Sequence, residues 1–244
     1  MSDIEPNQYE AFLSDRRERI LARASEAVER SGRSLDDITM LAVSKTVGPD
    51  EVYAAWKAGY RSFAENRPQE LKRKLAGVED HPDMAGVRFD MIGNLQTNKI
   101  NQVVGKVTLV HSVSSTHLAE AIAKRALAHG VDCDVLLECN VSGEESKSGF
   151  APDEVRAALP KLMGLGGISI KGLMTMAPAH DEDAARRTFS GLRDLADVLR
   201  GDSGLALDTL SMGMSDDFPI ALEEGATVIR LGRIVFDPGY EPAW

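Results

Sequence analysis

Short apolar runs alternate with amphipathic segments along most of this chain. The first run, Ile38-Thr-Met-Leu-Ala-Val-Ser-Lys45, is followed by a Gly48-Pro49 break, which is typical of a buried strand. Seven later runs of similar character predict further strands at 61–66, 88–93, 107–113, 134–141, 169–176, 207–212 and 227–236. The pattern therefore predicts eight strands.

The segments between these runs carry apolar residues at helical spacing. They predict helices at 49–58, 68–75, 96–103, 115–129, 152–163, 182–199 and 217–224, and an additional N-terminal helix at about 7–31. Strands that alternate with helices indicate an α/β fold, here a single (β/α)8 TIM barrel over about 36–236. We predict one domain over 1–244, with a short C-terminal tail. The alternative is a doubly wound open sheet, but no GxGxxG follows the first strand.

Composition narrows the classes of function. The 244 residues are 43% hydrophobic, the net charge is −10 and the pI is near 5.0, which disfavours general binding to nucleic acid or to anionic membranes. No apolar run approaches the roughly 18 residues of a membrane span, and the acidic N-terminus has no signal-type core, so we expect a cytoplasmic protein. The five histidines are scattered, and Cys133 and Cys139 are expected to be reduced core residues, so no metal site is predicted.

Lys45 is the first candidate for chemistry. Side chains alternate along a strand, so Lys45 shares a face with Leu41 and Val43 and is predicted to point inward and to be buried. A buried ammonium is disfavoured relative to the neutral amine, and a neutral amine condenses with aldehydes. The functional interpretation is a Schiff-base lysine. The alternative is a lysine that extends into solvent and forms a salt bridge.

Chemistry in TIM barrels gathers where strands end, and the last two strands end in residues suited to an anion. Ser211-Met-Gly-Met-Ser215 leads into a predicted helix, and Gly232 allows a close backbone approach, which together predict a phosphate site. Asp216 and Asp217 oppose an anion there unless they cap the helix. Arg230 is predicted to point into the barrel opening. Alternatively, it pairs inside the barrel with Glu138 or Glu65.

Six motifs in order carry a resemblance to a known family. They are Ala42-Val-Ser-Lys45, Ala64-Glu-Asn66 with Gln69-Glu70, Ile92-Gly-Asn-Leu-Gln96-Thr-Asn-Lys99, Asn140-Val-Ser142 through Ser146-Lys-Ser-Gly149, Gly172-Leu-Met174, and Leu210-Ser-Met-Gly-Met-Ser-Asp-Asp217. The chain resembles the YggS/PROSC family of pyridoxal 5′-phosphate (PLP) homeostasis proteins over about 36–236. The resemblance implies a barrel like the N-terminal domain of alanine racemase, with PLP held as an internal aldimine.

The resemblance also implies roles for individual residues. It implies Lys45 as the aldimine lysine, Arg230 as the partner of the pyridine nitrogen, Ser215 with the backbone of Gly232 and Arg233 as the phosphate cradle, and Asn66 and Met212 beside the ring. Two positions depart from the family pattern. Asp90 stands where a histidine is usual, and Arg233 stands where a threonine is usual, so a hydroxyl contact to the phosphate is lost there.

The function implied is a PLP carrier without efficient catalysis. Racemisation needs a base on each face of the substrate, and no tyrosine except Tyr240 is placed to supply the second. An arginine beside the pyridine nitrogen also keeps that nitrogen unprotonated and weakens the electron sink. Delivery of PLP would make PLP-dependent apo-enzymes its partners, and the absence of a racemase β-domain favours a monomer. The alternatives are a slow PLP-dependent amino-acid racemase and a PLP-independent Schiff-base lyase.

Overall fold

The computed structural model describes residues 5–144 and 147–242. Within them, eight parallel strands close into a barrel in the order β1 to β8. The strands are β1 Thr39–Val43, β2 Ser62–Glu65, β3 Arg88–Met91, β4 Val110–Val113, β5 Cys133–Glu138, β6 Ile168–Met174, β7 Thr209–Ser211 and β8 Val228–Leu231. The predicted (β/α)8 barrel is confirmed, and the open-sheet alternative is wrong because β1 pairs with β8.

Helices surround the barrel and connect its strands. They are α1 Pro6–Arg30, α2 Pro49–Lys57, α3 Pro68–Glu79, α4 Thr116–His129, α5 Pro152–Met163, α6 Glu182–Ser203, α7 Phe218–Glu223 and α8 Arg233–Phe236. Local signals set several ends. The Ser115 hydroxyl accepts from the Leu118 N–H at the start of α4, and Gly130 ends that helix at φ 65°, a conformation that glycine adopts without strain.

Two predicted elements differ from the structure. The segment predicted as a helix at 96–103 is a short 3-10 helix, Thr97–Gln102. The strand predicted over 227–236 ends at Leu231, because the backbone turns at Gly232 and the N–H groups of Val235 and Phe236 donate to the Gly232 carbonyl. The apolar run Ile234-Val-Phe236 is buried in this helical turn, and a short apolar run alone does not distinguish a strand from a helix.

The hydrophobic core has two layers. Inside the barrel, Leu41, Val43, Ala64 and Val228 form a small cluster. A much larger cluster fills the space between the barrel and the helices, and it includes Leu13 and Ile20 of the predicted N-terminal helix. That helix is present and contacts α2, α7 and α8. Across the described residues, no helix has both the length and the apolar character needed to cross a bilayer.

Candidate functional site

A cavity of about 560 Å³ opens at the C-terminal ends of the strands. Six of the seven residues predicted to bind a cofactor line it, namely Lys45, Asn66, Ser215, Arg230, Gly232 and Arg233. These residues follow or end four different strands, so the closed barrel brings them together from distant parts of the chain. The cavity has the size of a typical small-molecule site.

Lys45 lies two residues beyond the end of β1. Leu41 and Val43 face the barrel interior, as the predicted alternation requires, and Lys45 lies at the cavity mouth. Its predicted burial is wrong, because Lys45 is exposed. The interior layer ends at Val43, so a side chain two residues further on is above that layer. The alternative is right that Lys45 extends into solvent, but the salt bridge is wrong, since Lys45 forms no ion pair with any residue that the structure describes.

Arg230 is the buried cation of the cavity wall. It is 5% exposed and donates from Nη1 to the Ser211 hydroxyl at 2.8 Å and from Nη2 to the Thr175 carbonyl at 2.9 Å. Burial lowers the pKa of Arg230 to about 10, against the opposing charges of Asp217 and Glu138, so the guanidinium remains protonated at neutral pH.

The predicted pairing of Arg230 with Glu138 or Glu65 is wrong. No carboxylate among the described residues lies within ion-pair distance of the guanidinium. Ala64 faces the barrel interior, so the next residue of the strand, Glu65, faces outward. There Glu65 pairs with Lys74 of α3 at 2.9 Å.

A chain of buried polar groups continues from Arg230 across the barrel. His111 Nδ1 lies 2.9 Å from the Ser211 Oγ, and Nε2 lies 3.1 Å from Asp90 Oδ2. Burial lowers the pKa of His111, so its ring is neutral and carries one N–H. The single N–H of the ring is assigned to Nε2, which donates to Asp90, so Nδ1 accepts from the Ser211 hydroxyl while the Ser211 oxygen accepts from Arg230.

This chain gives Asp90 a partner that the sequence did not reveal. Asp90 stands at the departure from the family pattern, and its register opposite Ala64 directs it into the barrel. His111, one of the five histidines scattered along the sequence, is fully buried. Strand alternation could have indicated that Asp90 and His111 are buried, because it places both side chains on the inner face of the barrel. Which strands meet inside depends on barrel closure.

The predicted phosphate cradle lies at the ends of β7 and β8. Ser215 is buried, and its Oγ accepts from the Ile234 N–H at 3.3 Å. Gly232 lines the cavity, and a Cβ built there would meet only Val43, at 3.6 Å, which is an ordinary contact. Protein packing therefore does not require a glycine at this position. A side chain would instead occupy space that is open to a ligand.

Asp216 and Asp217, the two acidic residues near the cradle, both have partners within the protein. Arg233 forms a salt bridge with Asp216 at 2.7 Å, and the Tyr240 hydroxyl donates to the same carboxylate. Asp217 occupies the N-cap position of α7 but accepts from the Met214 N–H rather than capping the helix. Tyr240 is not among the residues that line the cavity, and its carbonyl accepts two bonds from Arg16 of α1.

Met212 is the predicted site residue that the cavity does not include. It is fully buried in the outer hydrophobic cluster. Because Ser211 points inward to Arg230, the next residue of the strand points outward. The methionines that line the cavity are Met174, Met176 and Met214.

Glu138 also lines the cavity, although the sequence suggested it only as a partner for Arg230. It is buried at the end of β5 and accepts from the Ser148 hydroxyl at 2.7 Å. Burial raises the pKa of Glu138, against opposing effects of Ser148 and Arg230. The cavity wall therefore contains a carboxyl group that holds its proton to higher pH than usual.

The motif from Asn140 to Gly149 organises the loop after β5. The Asn140 side chain donates to the carbonyls of Glu144 and Lys147, and it accepts from the Ser142 hydroxyl. Ser146 of the same motif lies outside the described residues. These contacts hold the loop and leave Ser148, further along it, in the cavity wall.

Comparison with known proteins places this arrangement in a family. The family model described as "Alanine racemase, N-terminal domain" matches residues 20–238. A pyridoxal phosphate homeostasis protein of Aquifex aeolicus is 39% identical over 223 residues, which are 91% of this chain and 96% of that protein.

Two solved structures extend the comparison. An unknown protein from Bifidobacterium adolescentis superposes with a TM-score of 0.89 at 38% identity, covering 96% of this chain and 98% of that one. PipY of Synechococcus elongatus PCC7942, solved with PLP bound, superposes with a TM-score of 0.76 at 34% identity, covering 86% and 99%. This chain therefore belongs to the family of the alanine racemase N-terminal domain and, within it, to the pyridoxal phosphate homeostasis proteins.

Proposed function

We propose that this protein binds PLP through Lys45 and takes part in cytoplasmic PLP homeostasis, as a monomeric carrier that delivers the cofactor to apo-enzymes without efficient catalysis of its own. The observation that carries the proposal is a single cavity lined by the exposed Lys45 and the buried Arg230. At one end of this cavity, Gly232 leaves open space beside the buried Ser215. The PLP-bound structure of PipY and the names of the relatives support the choice of ligand.

The donor set fits PLP on chemical grounds. PLP carries an aldehyde, a pyridine nitrogen and a phosphate, and when bound it supplies an electron-withdrawing ring. Lys45 is the amine that would hold the aldehyde carbon, by a condensation that releases one water. Arg230 would donate to the pyridine nitrogen, and Ser215 with the backbone of Gly232 and Arg233 would hold the phosphate, with Asn66 beside the ring.

Arg230 also bears on the proposed lack of turnover. Its guanidinium is fixed by Ser211 and by the Thr175 carbonyl, and it can only donate hydrogen bonds. A pyridine nitrogen that accepts from such a group stays unprotonated, which weakens the withdrawal of electrons that amino-acid chemistry on PLP requires. The neutral His111 behind Ser211 supplies no further proton to this position.

Borohydride trapping tests the proposal. Wild-type protein loaded with PLP should be yellow, and reduction should fix the cofactor on the peptide that contains Lys45, as peptide mass spectrometry would show. Lys45→Ala should lose the adduct and keep the fold, because the strand retains its apolar residues, whereas Lys106→Ala should behave like the wild type. An adduct on another lysine, or none on the wild type, would contradict the proposal. A protein that traps a sugar phosphate but not PLP would instead indicate a Schiff-base lyase.

Glu138 favours slow racemisation as a second candidate function. Its buried carboxyl lines the same cavity as Lys45 and retains its proton to higher pH than usual. It is therefore a second group that could exchange a proton there. Chirally resolved assays on alanine would decide between the two functions. A rate proportional to protein concentration that falls in Glu138→Gln would support the racemase, and no rate above background would support the carrier.

A further inference from the structure

A second cavity of about 400 Å³ adjoins the first. The two share Asn66, Gly93 and Asn94, and the remaining walls of the second cavity are Arg67, Pro68, Gln69, Gln96 and Lys99. All of these residues except Arg67 and Pro68 belong to the sequence motifs that carry the family resemblance. Of those motif residues, only Asn66 has a role in the proposed binding of PLP. The two cavities therefore form one branched depression at the ends of β2 and β3.

The floor between the cavities is closely packed. A Cβ on Gly93 would lie 2.1 Å from the Asn66 carbonyl oxygen, so only glycine permits this approach of the two strand ends. The Ile92 N–H donates to the Glu65 carbonyl at 2.9 Å and joins the same two segments. The shared wall is thus built from two backbone segments in direct contact.

The second cavity carries positive charge in an acidic protein. Arg67 and Lys99 lie in its wall, and none of the described residues that line it is an Asp or a Glu. Neither side chain makes an ion pair or a hydrogen bond with any residue in 5–144 or 147–242, although ion pairs are common elsewhere on the surface. In a chain with a net charge of −10, two cations that line one cavity without an ion-pair partner in the described part of the chain are a local reversal of the overall potential.

The remaining polar groups also have no protein partner. The side-chain amides of Gln69, Asn94 and Gln96 form no hydrogen bond with any described residue. Two cations with several amide donors suit a carboxylate, which accepts hydrogen bonds through both oxygens. The volume suits a small molecule, whereas a stable protein partner would need roughly 800 Å² of contact on each side.

We propose that the cavity lined by Arg67 and Lys99 is a binding subsite for a small organic carboxylate. The carboxylate accepts charge-assisted hydrogen bonds from the two cations and lies across the shared Asn66–Gly93 wall from the cavity that contains Lys45. This subsite does not require that PLP bind, since its contacts come from the second cavity alone.

Titration with propionate, followed by amide chemical shifts in the protein without PLP, tests the proposal. Arg67→Gln combined with Lys99→Gln should weaken propionate binding at least tenfold, because both charged donors are lost. Lys106→Gln removes an exposed positive charge elsewhere, and its affinity for propionate should equal that of the wild type. Lys45→Ala should also retain the affinity, which distinguishes this subsite from the neighbouring cavity.

Three results would overturn the proposal. They are equal affinity in the wild type and the double variant, loss of binding in Lys45→Ala alone, and tight binding of inorganic phosphate with no binding of propionate. Because these titrations use protein without PLP, a failure of PLP to bind would contradict the proposed function and leave the subsite standing.

Discussion

At the scale of single residues, the barrel interior holds a row of buried polar groups beside its small apolar cluster. Asp90, His111, Ser211 and Arg230 form one hydrogen-bonded chain from four strands. Buried polar groups persist when each has a partner, and removing one member leaves its neighbours unpaired at a cost greater than one average hydrogen bond. Ser211 is the central member, since it connects the histidine to the guanidinium.

Ser211→Ala should therefore destabilise the protein by about 2 kcal/mol, because it leaves a buried charged donor and a ring nitrogen without a partner. Urea unfolding at pH 7.5 measures this loss. Ser190→Ala on α6 is a suitable control, since among the described residues its hydroxyl bonds only to the Arg187 carbonyl of its own helix. A loss below about 0.5 kcal/mol for Ser211→Ala would show that the hydrogen bonds from Asp90 to Arg230 contribute little to stability.

The Glu138 carboxyl should make stability depend on pH in a defined direction. Its pKa is raised by burial above the ordinary value of 4.5. At a pH between 4.5 and this raised pKa, the folded state keeps a proton that the unfolded state loses. Stability therefore falls as pH rises through this window. Glu138→Gln removes the effect while its amide oxygen can still accept from Ser148.

The measurement is unfolding of both proteins from pH 4 to pH 8. The stability of Glu138→Gln relative to the wild type should rise across the window and then become constant. A difference that does not vary with pH, or that falls as pH rises, would contradict the raised pKa of Glu138.

At the scale of elements, helix α3 holds the ends of β1 and β2 behind the cavity. Lys74 of α3 is fully buried and donates to Glu65 Oε1 at 2.9 Å and to the Ser44 carbonyl at 3.2 Å. The Ser44 hydroxyl donates to the same carboxylate oxygen at 2.6 Å. Ser44 precedes Lys45 and Glu65 precedes Asn66, so this trio fixes the backbone of both cavity residues.

Lys74→Met should destabilise the protein by about 3 to 5 kcal/mol, because it leaves the buried Glu65 carboxyl without its cation. Combining it with Glu65→Leu should recover much of that loss, since both polar groups are then removed. Lys72→Met, at an exposed position of the same helix, should change stability little. Thermal unfolding of the wild type, Lys74→Met, Glu65→Leu, the double variant and Lys72→Met tests the coupling, and additive losses from the two single variants would argue against a direct pair.

At the scale of the whole molecule, closure of the barrel creates the site. β1 pairs with β8, which brings the lysine after the first strand to the same cavity as the arginine of the last. Helix α1 packs beneath this seam, where the Tyr9 hydroxyl donates to the Phe236 carbonyl at 3.0 Å. A ligand that contacts β1, β7 and β8 together should therefore stabilise the complete fold.

PLP at a hundredfold excess over its Kd should add about 2.7 kcal/mol to the free energy of unfolding. The melting temperature should rise with PLP concentration, and Lys45→Ala should show a smaller rise because the covalent link is absent. Differential scanning calorimetry measures both. An unchanged melting temperature in the wild type would contradict a specific PLP site.

The sequence by itself determined the order of strands and helices, the closed barrel expected from their alternation, and the face of β1 that leads to Lys45. These features follow from local periodicity, because neighbouring residues set whether a segment buries alternate side chains or one helical stripe. The tertiary structure decided the exposure of Lys45, the outward direction of Met212, the chain from Asp90 to Arg230 and the cavity beside Arg67 and Lys99. Each of these depends on where a strand ends and which strands meet across the barrel, and distances between residues far apart in the chain are fixed only when the barrel closes.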